Sequence, residues 1–491
     1  MNRPSCWRRL AAGVFATMLG ASGALQAQPF DTPPPAAAPR PFSIAAPSEQ
    51  RLPNGLRVIV ASRPGVPLVT ARLVVLSGSA ADPTQRAGLA SMAAGLLTKG
   101  TRLRSATAQA RAAESLGGSL DSGAGWDHAE VSITVATVHL GAALGLLGDA
   151  VMQPTFAPAE LERSRTQALD GLKVTYTQPG ALAALAANRL LFGGGPYGHA
   201  ASGTPASLRR ITRADLVALH AEQFRPDNAA LVLAGDIDAA TAVQLANQHF
   251  GSWKAARSPT AATPPVADAS ARALPITSAV IDMPQAGQAA VVVLAPLPPL
   301  GPDRAAASVL NAVLGGGYSS RLNQEVRIKR GLSYGAGSSL DMRRRGGALT
   351  ASVQTKNESA AEVLLLLQAE LDRLIATPVA DDELAARKAT LIGDFSRAVE
   401  TTSGLAGALR SLVVAGLPLD DLGGRIDRLD AVTAADVQRL AAAHLAAPGR
   451  RIAVAGDAAL FAPALRVQLP NAVSVRPGTL TLDRADGLTA P

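Results

Sequence analysis

Cysteine is nearly absent from this sequence, since Cys6 is the only one among 491 residues. It precedes an apolar run, whereas the cysteine of a lipoprotein would follow such a run, so a lipid anchor is not expected. The rest of the chain has no thiol, which excludes disulfides, thiolate nucleophiles and thiolate metal ligands.

Aromatic residues are also scarce, at 3% of the chain. The formal net charge is +8, and the arginines are interleaved with 38 acidic residues. Nucleic-acid binding usually needs a clustered basic surface and aromatic side chains that stack on bases. The composition therefore predicts no nucleic-acid partner.

Apolar stretches long enough to cross a membrane are missing as well. Residues 1–27 place three arginines before a short apolar run that begins at Leu10. Small residues follow, with cleavage expected after Ala27 and Ala24 as the alternative. This layout is typical of a secretory signal peptide, and the run is too short and too rich in Gly and Ala for a span. We expect export to a bacterial periplasm and no membrane span.

Two Pro/Ala-rich stretches lack apolar periodicity and are typical of a leader and a linker. They divide the exported chain into two halves of similar size. The predicted organisation is a signal peptide at 1–27, a Pro-rich leader at 28–46, an N-terminal domain at 47–257, a linker at 258–275, a C-terminal domain at 276–475 and a tail at 476–491.

The two halves resemble each other in sequence. "ITRADLVALHAEQFRPDNAALVLAGDID" ends the first half and "VTAADVQRLAAAHLAAPGRRIAVAGDAA" ends the second. Each predicts a capped helix, a short loop and a strand that closes on Gly-Asp, without a gap between the two copies. A second matching pair of segments in the same order indicates an internal duplication.

Strands and helices are predicted in the same order in both halves. Helices are expected near 88–98 and 105–116, and "AEVSITVATV" alternates like a strand. "LSYGAGSSLDM" and "GALTASVQT" form a predicted hairpin. Because hairpins are mixed with helices and strict βαβ alternation is missing, we expect an α+β fold with a largely antiparallel sheet in each half.

The six histidines show no helical zinc motif, because none has a second histidine or an acid at the required spacing. His128 and Glu130 alternate onto one face of a strand, which fits either a two-ligand metal patch or a solvated strand end. "GLSYG" matches the G-x-S-x-G elbow with Ser333 as nucleophile, but a helix precedes it and a strand follows it, the reverse of what an elbow needs. Only His444 lies downstream as a base, so an independent hydrolase is not favoured.

Two basic segments remain in the C-terminal half. "MRRRGG" at 342–347 lies between two predicted strands and fits a solvated hairpin turn or a surface that contacts anions. In "SSRLNQEVRIKRGLSYG", Arg327 offers a fork of donors and Tyr334 a hydroxyl that can donate to a carbonyl. The alternative for Arg327 is a capped, solvated helix end.

The chain resembles the pitrilysin-like, or insulinase, zinc peptidases along nearly all of its length after the signal peptide. "LPNGLRVIVAS", "GLASMAAGLLTKGT", "LGGSLDSGAG", "PYGHAASGTPASLRRIT", "FRPDNAALVLAGDID" and "GGGYSSRLNQEVRIKRGLSYG" occur in the order found in that family. The resemblance implies two duplicated α/β domains joined by a linker, each a largely antiparallel sheet packed with helices. Such domains pair into a chamber that holds unfolded peptides.

The family's HxxEH zinc motif would lie on the predicted helix at 88–98. Its two histidines would fall at Ser91 and Gly95, its general-base glutamate at Ala94, and the further glutamate ligand at or beside Gly171. None of these residues can hold zinc or act as a base. The resemblance therefore implies that this chain binds no metal or other cofactor of its own.

Arg327 and Tyr334 match the arginine–tyrosine pair that, in relatives, contacts the substrate main chain and the carbonyl under attack. The family includes two-subunit members in which one chain carries HxxEH and the other supplies this pair. The resemblance implies a non-catalytic, substrate-binding subunit of a heterodimeric periplasmic zinc metallopeptidase, with zinc in the HxxEH-bearing partner. In that complex Arg327 would orient the peptide and Tyr334 would hydrogen-bond the oxyanion.

An alternative of a different class stays open at this point. The chain could be a stand-alone peptide-binding or envelope assembly protein that keeps a peptidase-like chamber and performs no proteolysis.

Overall fold

The computed structural model describes residues 44–83, 85–254, 273–299, 301 and 303–478, with residues 480, 482 and 488 as isolated positions. The predicted signal peptide, most of the leader, nearly all of the linker and most of the tail lie outside these residues. No helix within the described part of the chain is long and apolar enough to cross a bilayer.

The N-terminal half forms a six-stranded sheet in the order β1-β2-β6-β3-β5-β4. Only β2 and β6 pair in parallel; the other neighbours are antiparallel. The strands are β1 (Ser48–Arg51), β2 (Arg57–Ser62), β3 (Leu68–Val75), β4 (Asp121–Ala124), β5 (Ala129–Ala136) and β6 (Ala229–Gly235).

The C-terminal half repeats this arrangement as a six-stranded sheet in the order β12-β7-β11-β8-β10-β9. Here β7 pairs in parallel with β11 and β12, and the remaining pairs are antiparallel. The strands are β7 (Ser278–Asp282), β8 (Ala289–Leu297), β9 (Ala336–Asp341), β10 (Gly347–Thr355), β11 (Arg451–Gly456) and β12 (Val473–Val475). The expected α+β class with two largely antiparallel sheets is confirmed.

Helices follow and cover the strands in both halves. Those of the N-terminal half are α1 (Leu89–Leu96), α2 (Ala106–Ser115), α3 (Leu140–Met152), α4 (Pro158–Thr175), α5 (Pro179–Phe192), α6 (Pro205–Arg210), α7 (Arg213–Gln223) and α8 (Ala239–Phe250). Those of the C-terminal half are α9 (Arg304–Leu314), α10 (Ala360–Ala376), α11 (Asp381–Val399), α12 (Thr402–Ala415), α13 (Arg425–Asp430), α14 (Ala434–His444) and α15 (Ala462–Gln468). A six-residue π-helix, Asn323–Ile328, follows α9.

The predicted duplication is visible in local geometry. The side chains of Thr212 and Thr433 each accept a hydrogen bond from the main-chain N–H three residues on. The main-chain N–H of each threonine donates in return to the carboxylate of Asp215 or Asp436, so α7 and α14 begin with the same capping box. The strands that follow end at Gly235 and Gly456, both at positive φ. A Cβ at Gly235 would lie 2.1 Å from the Leu68 carbonyl oxygen, so only glycine fits this close approach of two strands.

The two halves exchange helices, which the sequence analysis did not predict. The central strands are buried on both faces, so each sheet needs cover on both sides. Helix α5 of the N-terminal half packs on β7, β8 and β11 of the C-terminal sheet, and α12 of the C-terminal half packs on β3 and β6 of the N-terminal sheet. Each half is therefore completed by a helix from the other.

Candidate functional site

Helix α1 carries the positions of the degenerate zinc motif, and its N-terminus is fixed by a buried carboxylate. The Asp82 side chain accepts hydrogen bonds from the main-chain N–H groups of Gly88 and Ala90, each at 2.8 Å. Ser91 and Gly95 lie on a half-buried face, whereas Ala94 is fully buried in the N-terminal core. The three small residues therefore do not form one open face.

The residues at these positions do not fit a zinc ion. The Ser91 hydroxyl donates to the Ala201 carbonyl at 2.9 Å, and Ala94, Gly95 and Gly171 have no donor atom in their side chains. A Cβ added at Gly95 or Gly171 would meet no atom within 4 Å, so space for larger side chains remains there. Within the described residues no group of three or more His, Cys, Asp or Glu side chains could hold a metal.

A buried His–Asp pair lies beside α1, and nothing in the local sequence indicated it. His199 Nε2 is 3.8 Å from Asp82 Oδ2, and neither side chain is well exposed. Burial lowers the pKa of His199 to about 4, with nearby arginines adding to the effect. Burial raises the pKa of Asp82 to about 7 against the opposing effect of its main-chain hydrogen bonds. The two residues are 117 positions apart, so no local motif in the sequence indicates that they meet.

The candidate metal patch at His128 and Glu130 is an ion-pair cluster. One Glu130 oxygen accepts from Arg72 at 2.7 Å and from Arg410 of α12 at 3.1 Å. Burial alone would raise the pKa of Glu130, but the two arginines hold it below its ordinary value. Burial and Arg410 lower the pKa of His128. Two guanidinium groups beside the carboxylate disfavour a metal ion and instead tie α12 to the N-terminal sheet.

Ser333 has the structural context that the sequence indicated, with a helical segment before it and strand β9 after it. Its Oγ lies 2.8 Å from the Gly335 carbonyl and 2.6 Å from the Gln354 carbonyl, and it accepts from the Gly335 N–H. The hydroxyl therefore holds a turn in place and is not arranged as a nucleophile.

Arg327 and Tyr334 lie on two consecutive, differently built segments. Arg327 is in the last turn of the π-helix, and its guanidinium lies over the Tyr318 ring, 5.2 Å from the centroid. π-helices are rare and often mark functional positions. Tyr334, in the loop before β9, is 93% exposed.

Tyr334 borders a cavity of about 630 Å³ on the C-terminal sheet. One side is the start of α5, with Gly180 and Ala184, and the floor is formed by β8 and β10. Exposed polar side chains of β10, Ser352 and Gln354, face this space. The cavity therefore offers main-chain and small polar groups beside an exposed phenol, a surface suited to an extended peptide.

The basic segment at 342–347 is not simply a solvated turn. Arg343 is 5% exposed, and its guanidinium lies 4.4 Å from the Trp126 ring centroid, 4.7 Å from Phe192 and 4.8 Å from Tyr197. All three rings belong to the N-terminal half. The β9–β10 hairpin thus inserts a cation into an aromatic cage, and the expectation of solvation was wrong for this residue.

Two family descriptions match most of the described chain. Residues 57–198 match "Insulinase (Peptidase family M16)" and residues 210–391 match "Peptidase M16 inactive domain". The positions of the degenerate zinc motif lie in the first match, and Arg327 and Tyr334 lie in the second.

Relatives and solved structures agree with this assignment. The chain is 30% identical over 364 residues to an uncharacterised zinc protease of Mycobacterium tuberculosis, covering 74% of this chain and 82% of the relative. It is 25% identical over 369 residues to a non-peptidase homologue of Helicobacter pylori, covering 75% and 84%.

Among solved structures, a peptidase M16 inactive domain from Pseudomonas fluorescens superposes with a TM-score of 0.76 at 28% identity, covering 84% of this chain and 98% of that one. A Helicobacter pylori protease shares the fold with a TM-score of 0.78 at 20% identity, covering 84% and 100%.

Proposed function

The chain belongs to the insulinase (M16) family of peptidases, and from that premise we propose that it is the non-catalytic, substrate-binding subunit of a heterodimeric periplasmic zinc metallopeptidase. The partner subunit carries HxxEH and holds the zinc, and the substrates are unfolded peptides or small proteins. Export to the periplasm is supported by the arginine-led apolar start of the sequence at residues 1–27. The small residues Ser91, Ala94, Gly95 and Gly171 support the non-catalytic role.

The exposure of Tyr334 carries this proposal. A phenol that is 93% exposed beside a cavity contributes little to its own fold, because aromatic side chains stabilise a protein mainly by burial. Its hydroxyl is free to reach a group outside the chain. The chain thus keeps a hydrogen-bond donor for a substrate, whereas the positions of its degenerate zinc motif carry no zinc ligand.

The two side chains have different roles in the proposed complex. Arg327, held over the Tyr318 ring, orients the bound peptide by donating to its main-chain carbonyls. Tyr334 donates its O–H to the carbonyl oxygen that is attacked in the partner's site and stabilises the negative charge that develops there. Binding energy from Arg327 holds the peptide in a reactive position.

The test uses the chain with an affinity tag, purified from the periplasm of its own host. We expect it to co-purify with an HxxEH-bearing subunit, and the complex to cleave a fluorogenic peptide. Tyr334→Phe should lower kcat by about 10²–10³-fold with little change in KM, the usual cost of losing one such donor. Tyr318→Phe, a second exposed tyrosine whose ring is retained, is the matched control and should leave kcat unchanged.

Two results would overturn the proposal. Recovery of the chain without any peptidase subunit would favour the stand-alone peptide-binding or assembly role. A complex whose kcat is the same with Tyr334→Phe would remove this hydroxyl from the reaction.

A further inference from the structure

A second cavity, of about 680 Å³, lies in the C-terminal half between α11, α12 and the end of β9. Its volume is within the range of small-molecule sites. Neither Arg327 nor Tyr334 lines it, so it is separate from the proposed peptide site.

The walls of this cavity are mostly apolar. Small residues of α12 make it wide, and larger apolar side chains from α12 and the surrounding elements line it. The larger wall residues are Leu340, Met342, Leu391, Phe395, Leu412 and Leu417. Such a surface gains free energy when an aliphatic or aromatic chain displaces water from it.

The acidic groups around the cavity already have cationic partners. Asp421 binds both Arg304 and Arg428, the latter with Nη1 3.0 Å from Oδ1. Asp394 pairs with an arginine one turn on in its own helix. Arg410, which also lines the cavity, pairs with a glutamate of the N-terminal sheet.

Arg425 also lines the cavity, and its surroundings differ from those of the paired arginines. Its guanidinium lies 5.3 Å from the Phe395 ring centroid, its Nε is buried without a hydrogen-bond partner, and no ion pair to it is found among the described residues. Burial, together with the charges of Arg304 and Arg428, lowers the pKa of Arg425. A partly buried guanidinium with two cationic neighbours favours an added negative charge.

We propose that this cavity binds a carboxylate carried on an apolar chain. Arg425 receives the carboxylate, for which its planar fork of donors is suited, and the apolar walls receive the chain. A free fatty acid and the C-terminus of an apolar peptide present this same chemistry.

Isothermal titration of the full exported chain with decanoate and with decanol distinguishes the contribution of the carboxylate to binding from that of the apolar chain. We expect saturable decanoate binding, and binding of decanol that is at least tenfold weaker. Arg425→Met should weaken decanoate at least tenfold and leave decanol unchanged, whereas Arg439→Met, an exposed arginine of the same half, should change neither. A parallel titration with a Leu-Leu-Phe peptide as free acid and as amide identifies the source of the carboxylate.

Gly407→Leu provides a second, independent variant. Gly407 of α12 lines the cavity, and a Cβ there would meet no atom within 4 Å, so the larger side chain should fill the space without unfolding the protein. It should abolish binding of every probe. The proposal is overturned if neither decanoate nor the peptide acid binds saturably, if the carboxylate gives no advantage over decanol or the amide, or if Gly407→Leu leaves binding intact.

Discussion

The buried guanidinium of Arg343 should be a main contributor to the junction of the two halves. Its side chain contacts three aromatic rings of the N-terminal half and also pairs with Asp341 and donates to Asn188 Oδ1 at 3.3 Å. Arg343→Met keeps most of the apolar volume and removes the charge. The variant therefore isolates the electrostatic part of the junction.

The expected cost of Arg343→Met is about 3 kcal/mol in the free energy of unfolding. A desolvated cation over aromatic faces is worth about 2 kcal/mol, and a lost hydrogen bond to the partly buried Asn188 amide adds about 1 kcal/mol. Asp341 is half-exposed and regains water, so it adds little. Arg343→Lys should lose less, about 1–2 kcal/mol, because the charge stays near the rings while the planar stacking is lost.

Urea unfolding followed by tryptophan fluorescence and circular dichroism measures this cost, and Trp126 of the cage gives a local signal. The control is Arg345→Met, which changes the net charge equally; only the main-chain N–H of Arg345 is bound to the Tyr197 hydroxyl, and that bond persists. If the free energies of unfolding of the two methionine variants agree within about 0.5 kcal/mol, the charge of Arg343 in the cage does not stabilise the protein.

Two further predictions concern the surroundings of α1. Gly95→Ala and Gly171→Ala should each raise the free energy of unfolding by about 0.5–1 kcal/mol, because both glycines are in helices with free space for a methyl group; a lower urea midpoint would contradict this. The pair of Asp82 and His199 should give opposite pH slopes in single variants. In Asp82→Asn the free energy of unfolding should rise between pH 4 and 6.5, by at most about 3 kcal/mol. The reason is that the His199 imidazole titrates near 6.5 in the unfolded chain, whereas burial holds its pKa in the folded protein at about 4. In His199→Asn the free energy of unfolding should fall as the pH rises from about 4 to 7. The reason is that the Asp82 carboxyl titrates near 3.8 in the unfolded chain, whereas burial raises its pKa in the folded protein to about 7. Urea unfolding across this pH range checks both, and slopes of the same sign would refute the assignment.

Local patterns in the sequence predicted local structure well. The helix expected near 88–98 is Leu89–Leu96, and the hairpin expected in the C-terminal half is β9 and β10. Periodicity and capping residues act within a few positions of the chain, so they can be read without coordinates. The burial of Ala94 shows the limit of such local patterns. At about 100° per residue, Ala94 and Gly95 lie on opposite sides of Ser91 around the helix, and the core lies on the side of Ala94.

Contacts between distant segments could not be predicted in this way. The apolar character of α5 requires burial but does not say on which sheet, and the cage around Arg343 joins residues that are far apart in sequence. A run of three arginines is usually solvated, and only the geometry of the β9–β10 hairpin places one of them, Arg343, against the aromatic rings. The roles expected for Arg327 and Tyr334 stay predictions until the kinetic test is made.

The exchange of α5 and α12 bears on how a peptide chamber can form. Opening the chain between its halves would separate α5 from the C-terminal sheet or α12 from the N-terminal sheet, and each contact is a fully buried apolar cluster. Exposing several leucine-sized side chains costs about 1.5–3 kcal/mol each, more than the total stability of a typical domain when all are counted. A chamber that must open and close around a substrate is therefore better formed between this chain and a second one. The exchanged helices therefore support the proposed partner subunit independently of the missing zinc ligands.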